Sequence, residues 1–208
     1  MFYEVIRLSP NLPDPYHRLG LIYNEMGDKK RALDFYMIAA HLTPKDASLW
    51  KLLVTWSVEQ GDTGQARYCL SKAITADPED INLRFHRASL YVELGDYLKA
   101  ADSYEQISQL CPDNVKVLQT AAQLYKKCGQ SERAVTVLES YLRNCCKEPD
   151  LNVVDILASL HMEGNAHHKA LEHIEHAQQV YCSGKEIPLC LRTKAGICHI
   201  HLGNFVKA

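Results

Sequence analysis

Seven of the ten histidines in this chain lie from His161 onward: His161, His167, His168, His173, His176, His199 and His201. Imidazole titrates near neutral pH and ligates metals, so such a cluster could carry protons, respond to pH or hold an ion. His173 and His176 fall on one helix face with Cys182 nearby, but no Cys or His pairs keep zinc-finger spacing. The expectation is therefore no metal and no cofactor, with the histidines forming a pH-sensitive patch or sitting partly buried. Eight cysteines occur without a Cys-x-x-Cys pair. Cys69, Cys111, Cys128 and Cys198 sit on helix patterns and read as small core residues, whereas Cys145, Cys146 and Cys182 lie near irregular junctions and read as the more reactive thiols. A nucleophile would also need a positioned base and an oxyanion site, and the sequence shows neither. Glycine-rich phosphate loops are missing too, so no catalytic residue is expected.

A different chemistry is written in carboxylates. Glu25, Glu59 and Glu93 recur at one spacing near helix C-termini, where a negative charge opposes the helix dipole by about 0.3–1 kcal/mol. A row placed against local preference suits a basic or amide-rich partner segment. Lys126 and Lys127 reverse the sign farther along, so an extended partner would match the pattern in one direction only.

The elements that must position these residues follow from three sets at a step of 34: Gly27, Gly61, Gly95 and Gly129; Ala32, Ala66, Ala100 and Ala134; Pro10, Pro44, Pro78 and Pro112. A fixed period of this length marks stacked repeats, and a 34-residue unit so built resembles the tetratricopeptide repeat. The expected class is all-α, an α-α superhelix of about twelve helices. Tyr16, Leu19, Gly20 and Tyr23 share one helix face and Ala32, Tyr36 and Ala39 the next, the three-and-four spacing of an amphipathic hairpin. Gly20 and Ala32 are small where paired helices must approach. Gly-Asp turns join the helices at Gly27-Asp28, Gly61-Asp62 and Gly95-Asp96, with Gly129-Gln130, Gly164-Asn165 and Gly203-Asn204 as later versions. Each proline ends the second helix of its unit.

The expected division is 1–12 as the end of a preceding repeat, full repeats at 13–46, 47–80, 81–114 and 115–149, a degenerate repeat at 150–188 and a truncated one at 189–208. About three extra residues are expected at the Cys145 junction, and six rather than five residues separate Gly164 from Ala170. Another lengthened junction surrounds Gly184, and Ala208 falls on the alanine position of the last unit. Both ends are expected to cut through repeats of a longer array, which would favour end-to-end self-association.

In tetratricopeptide repeats the first helix of each pair lines the groove, which places Asp14, His17, Leu21, Asn24 and Glu25 inward in the first unit. The matching sets are Ser48, Lys51, Thr55, Val58 and Glu59; Asn82, Phe85, Ser89, Val92 and Glu93; and Lys116, Gln119, Gln123, Lys126 and Lys127. The candidate partner-binding residues are His17, Asn24, Glu25, Lys51, Glu59, Asn82, Phe85, Glu93, Gln119, Lys126 and Lys127. Phe85 is either an aromatic anchor for a partner or covered by neighbouring helices.

Composition narrows the partners. A net charge of −2 gives no electrostatic footprint for nucleic acid, and no apolar run is long enough to span a membrane. Unpaired cysteines without a signal peptide point to reduced thiols in an intracellular compartment.

A narrower resemblance rests on residues the repeat does not require, notably LSPNLPDPYHRLGLIYNEMGDKKRALDFYMIAAHLTPKD from Leu8 to Asp46 and SLW from Ser48 to Trp50. This text resembles the tetratricopeptide-repeat subunit of the general transcription factor TFIIIC, which serves RNA polymerase III. The resemblance implies a nuclear, non-catalytic scaffold that contacts TFIIIB components and other TFIIIC subunits. Two alternatives stand beside it: a peptide-binding adaptor or co-chaperone, and an array presenting substrates to an enzyme. The carboxylate clamp of chaperone-binding repeats is missing, since its positions hold His17 and Leu21, Lys51 and Thr55, and Phe85 and Ser89.

Overall fold

The computed structural model describes residues 2–144, 150–181 and 186–205. These form twelve α-helices and no strand: α1 (Phe2–Leu8), α2 (Pro13–Glu25), α3 (Lys29–Leu42), α4 (Ala47–Glu59), α5 (Thr63–Ala76), α6 (Ile81–Glu93), α7 (Tyr97–Leu110), α8 (Val115–Lys127), α9 (Ser131–Asn144), α10 (Leu151–Glu163), α11 (His167–His176) and α12 (Leu189–His201). A π-helical turn, Ala177–Tyr181, extends α11. The fold is an all-α array of helical hairpins. It divides into two compact units, Met1–Leu94 and Gly95–Ala208.

One local grammar makes each hairpin. Asp46 and Asp80 precede α4 and α6 and accept backbone N–H bonds from Leu49 at 3.2 Å and Asn82 at 2.9 Å, satisfying donors that the first helical turn leaves open. Asp28, Asp62 and Asp96 do the same for Arg31, Gln65 and Lys99 at the starts of α3, α5 and α7. Between paired helices, Gly27, Gly61, Gly95 and Gly129 take φ of 73–81°, a region costly for residues with a Cβ. The turn is closed by Asp28 N–H to the Tyr23 carbonyl at 2.9 Å, repeated by Asp62 to Ser57 and Gln130 to Tyr125. Helices α3, α5 and α7 end two residues before Pro44, Pro78 and Pro112.

Small residues set the distance between helices and large ones fill what remains. In the first unit Ala32, Ala40 and Ala66 are fully buried beside Trp50, Leu53 and Tyr36. The Trp50 indole still finds an acceptor, donating from Nε1 to the Pro44 carbonyl at 3.2 Å. Arg84 stands at the same place in the next repeat and donates from Nη2 to the Pro78 carbonyl at 3.0 Å. In the second unit one core gathers Tyr125, Ala134, Leu138 and Leu157, and another Ile174, Leu191 and Cys198.

The fifth repeat corrects the sequence register. Gly164 has φ −82°, and the left-handed residue is Asn165 at φ 57°. Asn tolerates this conformation better than other side chains do, so glycine is not required there. The closing bonds follow the new register, with Ala166 N–H to the His161 carbonyl at 2.8 Å. Counted from Asn165, the turn-to-alanine spacing equals that of the other repeats. The N-cap step is 34 from Asp46 to Asp80 and from Asp80 to Asn114, then 36 from Asn114 to Asp150. The junction thus gains two residues rather than three, and within the repeat α11 is shorter than its counterparts and passes into the π-helical turn.

Cys69 and Cys198 are core residues as expected, but Cys111 and Cys128 are only half-buried, because each stands at the C-cap where its helix leaves the core. Cys145, Cys146, Cys182, Gly184 and Ala208 lie outside the described residues.

Candidate partner-binding face

The first unit presents Glu25, Glu59 and Glu93 as the last residues of α2, α4 and α6, all exposed. Their placement follows from the repeat: the side chain two before the left-handed glycine points away from the core. Glu59 pairs with Lys29 at 2.9 Å, both side chains about half exposed. Among the described residues Glu25 and Glu93 have no ion pair. Exposed pairs contribute about 0–1 kcal/mol, so a partner's charge can replace Lys29 at small cost. His17, Asn24 and Asn82 are exposed as well, and Phe85 is half-buried.

The fifth position of these helices behaves differently. Lys51 reaches forward to the next repeat, 2.7 Å from Asp80 and 3.3 Å from Asp77. That hydrogen bond holds the Asp80 carboxyl below its ordinary range and raises the Lys51 ammonium. In the second unit Gln119 makes the equivalent bond, Nε2 donating to Asp150 Oδ2 at 3.2 Å. Lys51 and Gln119 therefore tie one repeat to the N-cap of the next, a structural use of two residues expected to meet a partner.

The second unit carries the opposite charge at the corresponding helix end. Lys127 places its ammonium 3.6 Å from the Tyr97 ring centroid, a cation–π contact. Lys126 pairs with Glu163 at 2.6 Å. Glu163 is the fifth repeat's counterpart of Glu25, Glu59 and Glu93. Reading the register from Gly164 hides it, and counting from the Asp150 N-cap recovers it. The second unit also holds a cavity of about 780 Å³ among Glu105, Gln109, Asn114, Val137 and Tyr141, residues with no shared spacing that could have announced it.

Two of the histidines, His161 and His199, are buried. The His173 ring lies against His161 at 5.4 Å between centroids. His167 stacks on His201 at 4.1 Å. Among the described residues no helix is long and apolar enough to cross a membrane.

Residues 13–46 and 91–144 each match the family described as tetratricopeptide repeat. The chain is a tetratricopeptide-repeat array. Its relatives include the human protein named General transcription factor 3C polypeptide 3, 32% identical over 177 residues, covering 83% of this chain and 20% of that protein. The Saccharomyces cerevisiae protein named Transcription factor tau 131 kDa subunit is 29% identical over 135 residues, covering 65% of the array and 13% of that protein. The array is thus related to TFIIIC subunits and spans about a fifth or less of their length. The solved structure of Naa15/Naa10 bound to HypK-THB shares the fold, with a TM-score of 0.67 and 17% identity over 100% of the array and 32% of that chain.

Proposed function

We propose that this array is a non-catalytic docking scaffold within a TFIIIC-type subunit, acting in the nucleus to help recruit TFIIIB and assemble the RNA polymerase III initiation complex. The observation that carries the reading is the similarity to General transcription factor 3C polypeptide 3 across most of the array. The first unit supports it with a row of exposed helix-end carboxylates, in which Glu25 and Glu93 have no ion pair among the described residues and Glu59 is only weakly committed. A basic or amide-rich segment of a TFIIIB component fits that row, and other TFIIIC subunits contact the remaining faces. The co-chaperone alternative loses ground because Lys51, the only lysine at a clamp position, is engaged by Asp77 and Asp80.

The decisive experiment is cross-linking mass spectrometry on assembled TFIIIC with TFIIIB, paired with the triple variant Glu25→Lys, Glu59→Lys, Glu93→Lys. Cross-links from the first unit to a TFIIIB component are expected, together with weakened binding by the variant at unchanged helicity. Unaltered affinity would remove the acidic row from the interface.

A further inference from the structure

Two slots recur in each hairpin: one four residues before the left-handed turn residue, and one eight residues after it. In repeat one they hold Tyr23 and Phe35, whose rings stack 5.4 Å apart at 6°. In repeat five they hold His161 and His173, whose rings lie 5.4 Å apart at 9°. The frame is the same, but the rings now carry nitrogen. A third slot, ten residues after the turn residue of the preceding repeat, faces this pair. It holds Glu105 in front of Tyr125, whose hydroxyl it binds, and Glu139 in front of His161. Among the described residues, only at α9, α10 and α11 do these slots bring together two imidazoles and a carboxylate.

The distances do not suit hydrogen bonding. Glu139 Oε1 stands 3.7 Å from His161 Nε2 and 3.8 Å from His173 Nε2, and the three ligand atoms lie within 4.8 Å of one another. His161 is 7% exposed, and its Nε2 has no hydrogen-bond partner, an arrangement that burial makes costly. Ligands at about 2.0–2.1 Å around a tetrahedral ion are separated by about 3.3 Å. Closing the two carboxylate–imidazole gaps to that value needs a contraction of about half an ångström, and the gap between the two imidazoles, within 4.8 Å, closes by rotation of the rings toward a common point.

We propose that Glu139, His161 and His173 bind one divalent transition-metal ion of the zinc type, with water completing the coordination. Two imidazoles and a carboxylate are ligands such ions take, and neutral imidazole is the ligating form. Burial, with His173 adding to it, lowers the proton affinity of His161 and keeps that form available. The ion links the last helix of repeat four to both helices of repeat five, across the junction where two residues are added to the repeat.

The test uses the whole 208-residue chain, freed of metal with a chelator, and zinc or cobalt alone. Saturable 1:1 zinc uptake with a rise in Tm is expected. The cobalt complex should show d–d bands without thiolate charge transfer, which separates this site from the cysteines. Glu139→Gln and His173→Asn should each weaken binding by more than the roughly tenfold to hundredfold that loss of an outer-shell partner costs. His168→Asn, on an exposed face, should leave it unchanged. Circular dichroism checks the fold of each variant, and Glu139→Gln, nearly isosteric and half-exposed, keeps the test valid where a histidine variant unfolds. Absence of 1:1 uptake by the parent chain, or parental affinity in Glu139→Gln, overturns the proposal.

Discussion

A Cβ atom built on Gly20 would meet three atoms of the Tyr36 ring at 3.0 Å. Gly20 lies in α2 and Tyr36 in α3, so this contact sets how closely the first hairpin closes. Tyr36 has no room to yield: it is almost fully buried and makes edge contacts with His17 at 5.2 Å and Trp56 at 5.3 Å.

Gly20→Ala should therefore destabilise the array despite alanine's better helix propensity. Overpacking costs about 1–3 kcal/mol and the propensity gain returns about 1 kcal/mol. A net loss of up to about 2 kcal/mol by urea denaturation is expected, and a stabilised variant would show that Tyr36 can move.

Asp46 is a cap with a built-in acid sensitivity. The Ser48 hydroxyl and the Leu49 N–H hold its carboxyl below the ordinary value of 3.8 despite partial burial. Because its folded pKa is depressed, its contribution is present above pH 3.8 and is lost as pH falls through the folded value. Asp46→Ala should cost about 0.5–2 kcal/mol at neutral pH and progressively less in acid. Asp46→Asn should keep most of the cap without that pH dependence, as followed by thermal unfolding across an acid series.

The Tyr125 hydroxyl meets both Asp102 Oδ1, at 2.7 Å, and Glu105 Oε2, while Arg133 lies over its ring and 2.9 Å from Asp102. Burial first, then the two carboxylates, raises the phenol well above its ordinary 10.0. A raised acid contributes stability that is complete below the unfolded pKa and is lost as pH climbs above it. Tyr125→Phe should cost about 1–3 kcal/mol at neutral pH. The gap between parent and variant in urea should narrow on going from about pH 8 to about pH 11. A constant gap would mean that the hydroxyl is already free to ionise in the fold.

Cys69 and Cys190 should differ in reactivity by location alone. Cys69 is buried, and that burial pushes its thiol up to about 11, whereas Cys190 is exposed. Brief iodoacetamide treatment of the native array followed by peptide mapping should label Cys190 and spare Cys69 until the array unfolds. Equal labelling would mean that α5 opens locally.

The hairpins could be read from the chain because their determinants are local. A capping Asp, a left-handed Gly and a closing Pro each act within a few residues, and their step of 34 repeats the same solution. In the fifth repeat the left-handed residue is Asn165 and not Gly164, because residue type marks where glycine stands while conformation decides where the chain turns. That single offset hid Glu163 and, with it, the pairing that engages Lys126.

Sequence alone determined the all-α class and the recurrence of Glu25, Glu59 and Glu93 at one place near helix C-termini, because short-range backbone chemistry and helical periodicity decide both. Tertiary structure decided which of the groove candidates are already spoken for: Lys51 and Gln119 are held by the N-caps of following repeats. It also brought Glu139 to His161 and His173, three residues from three helices. Contacts of that kind depend on how neighbouring helices are stacked, and no spacing along the chain encodes the distance between two side chains on different helices.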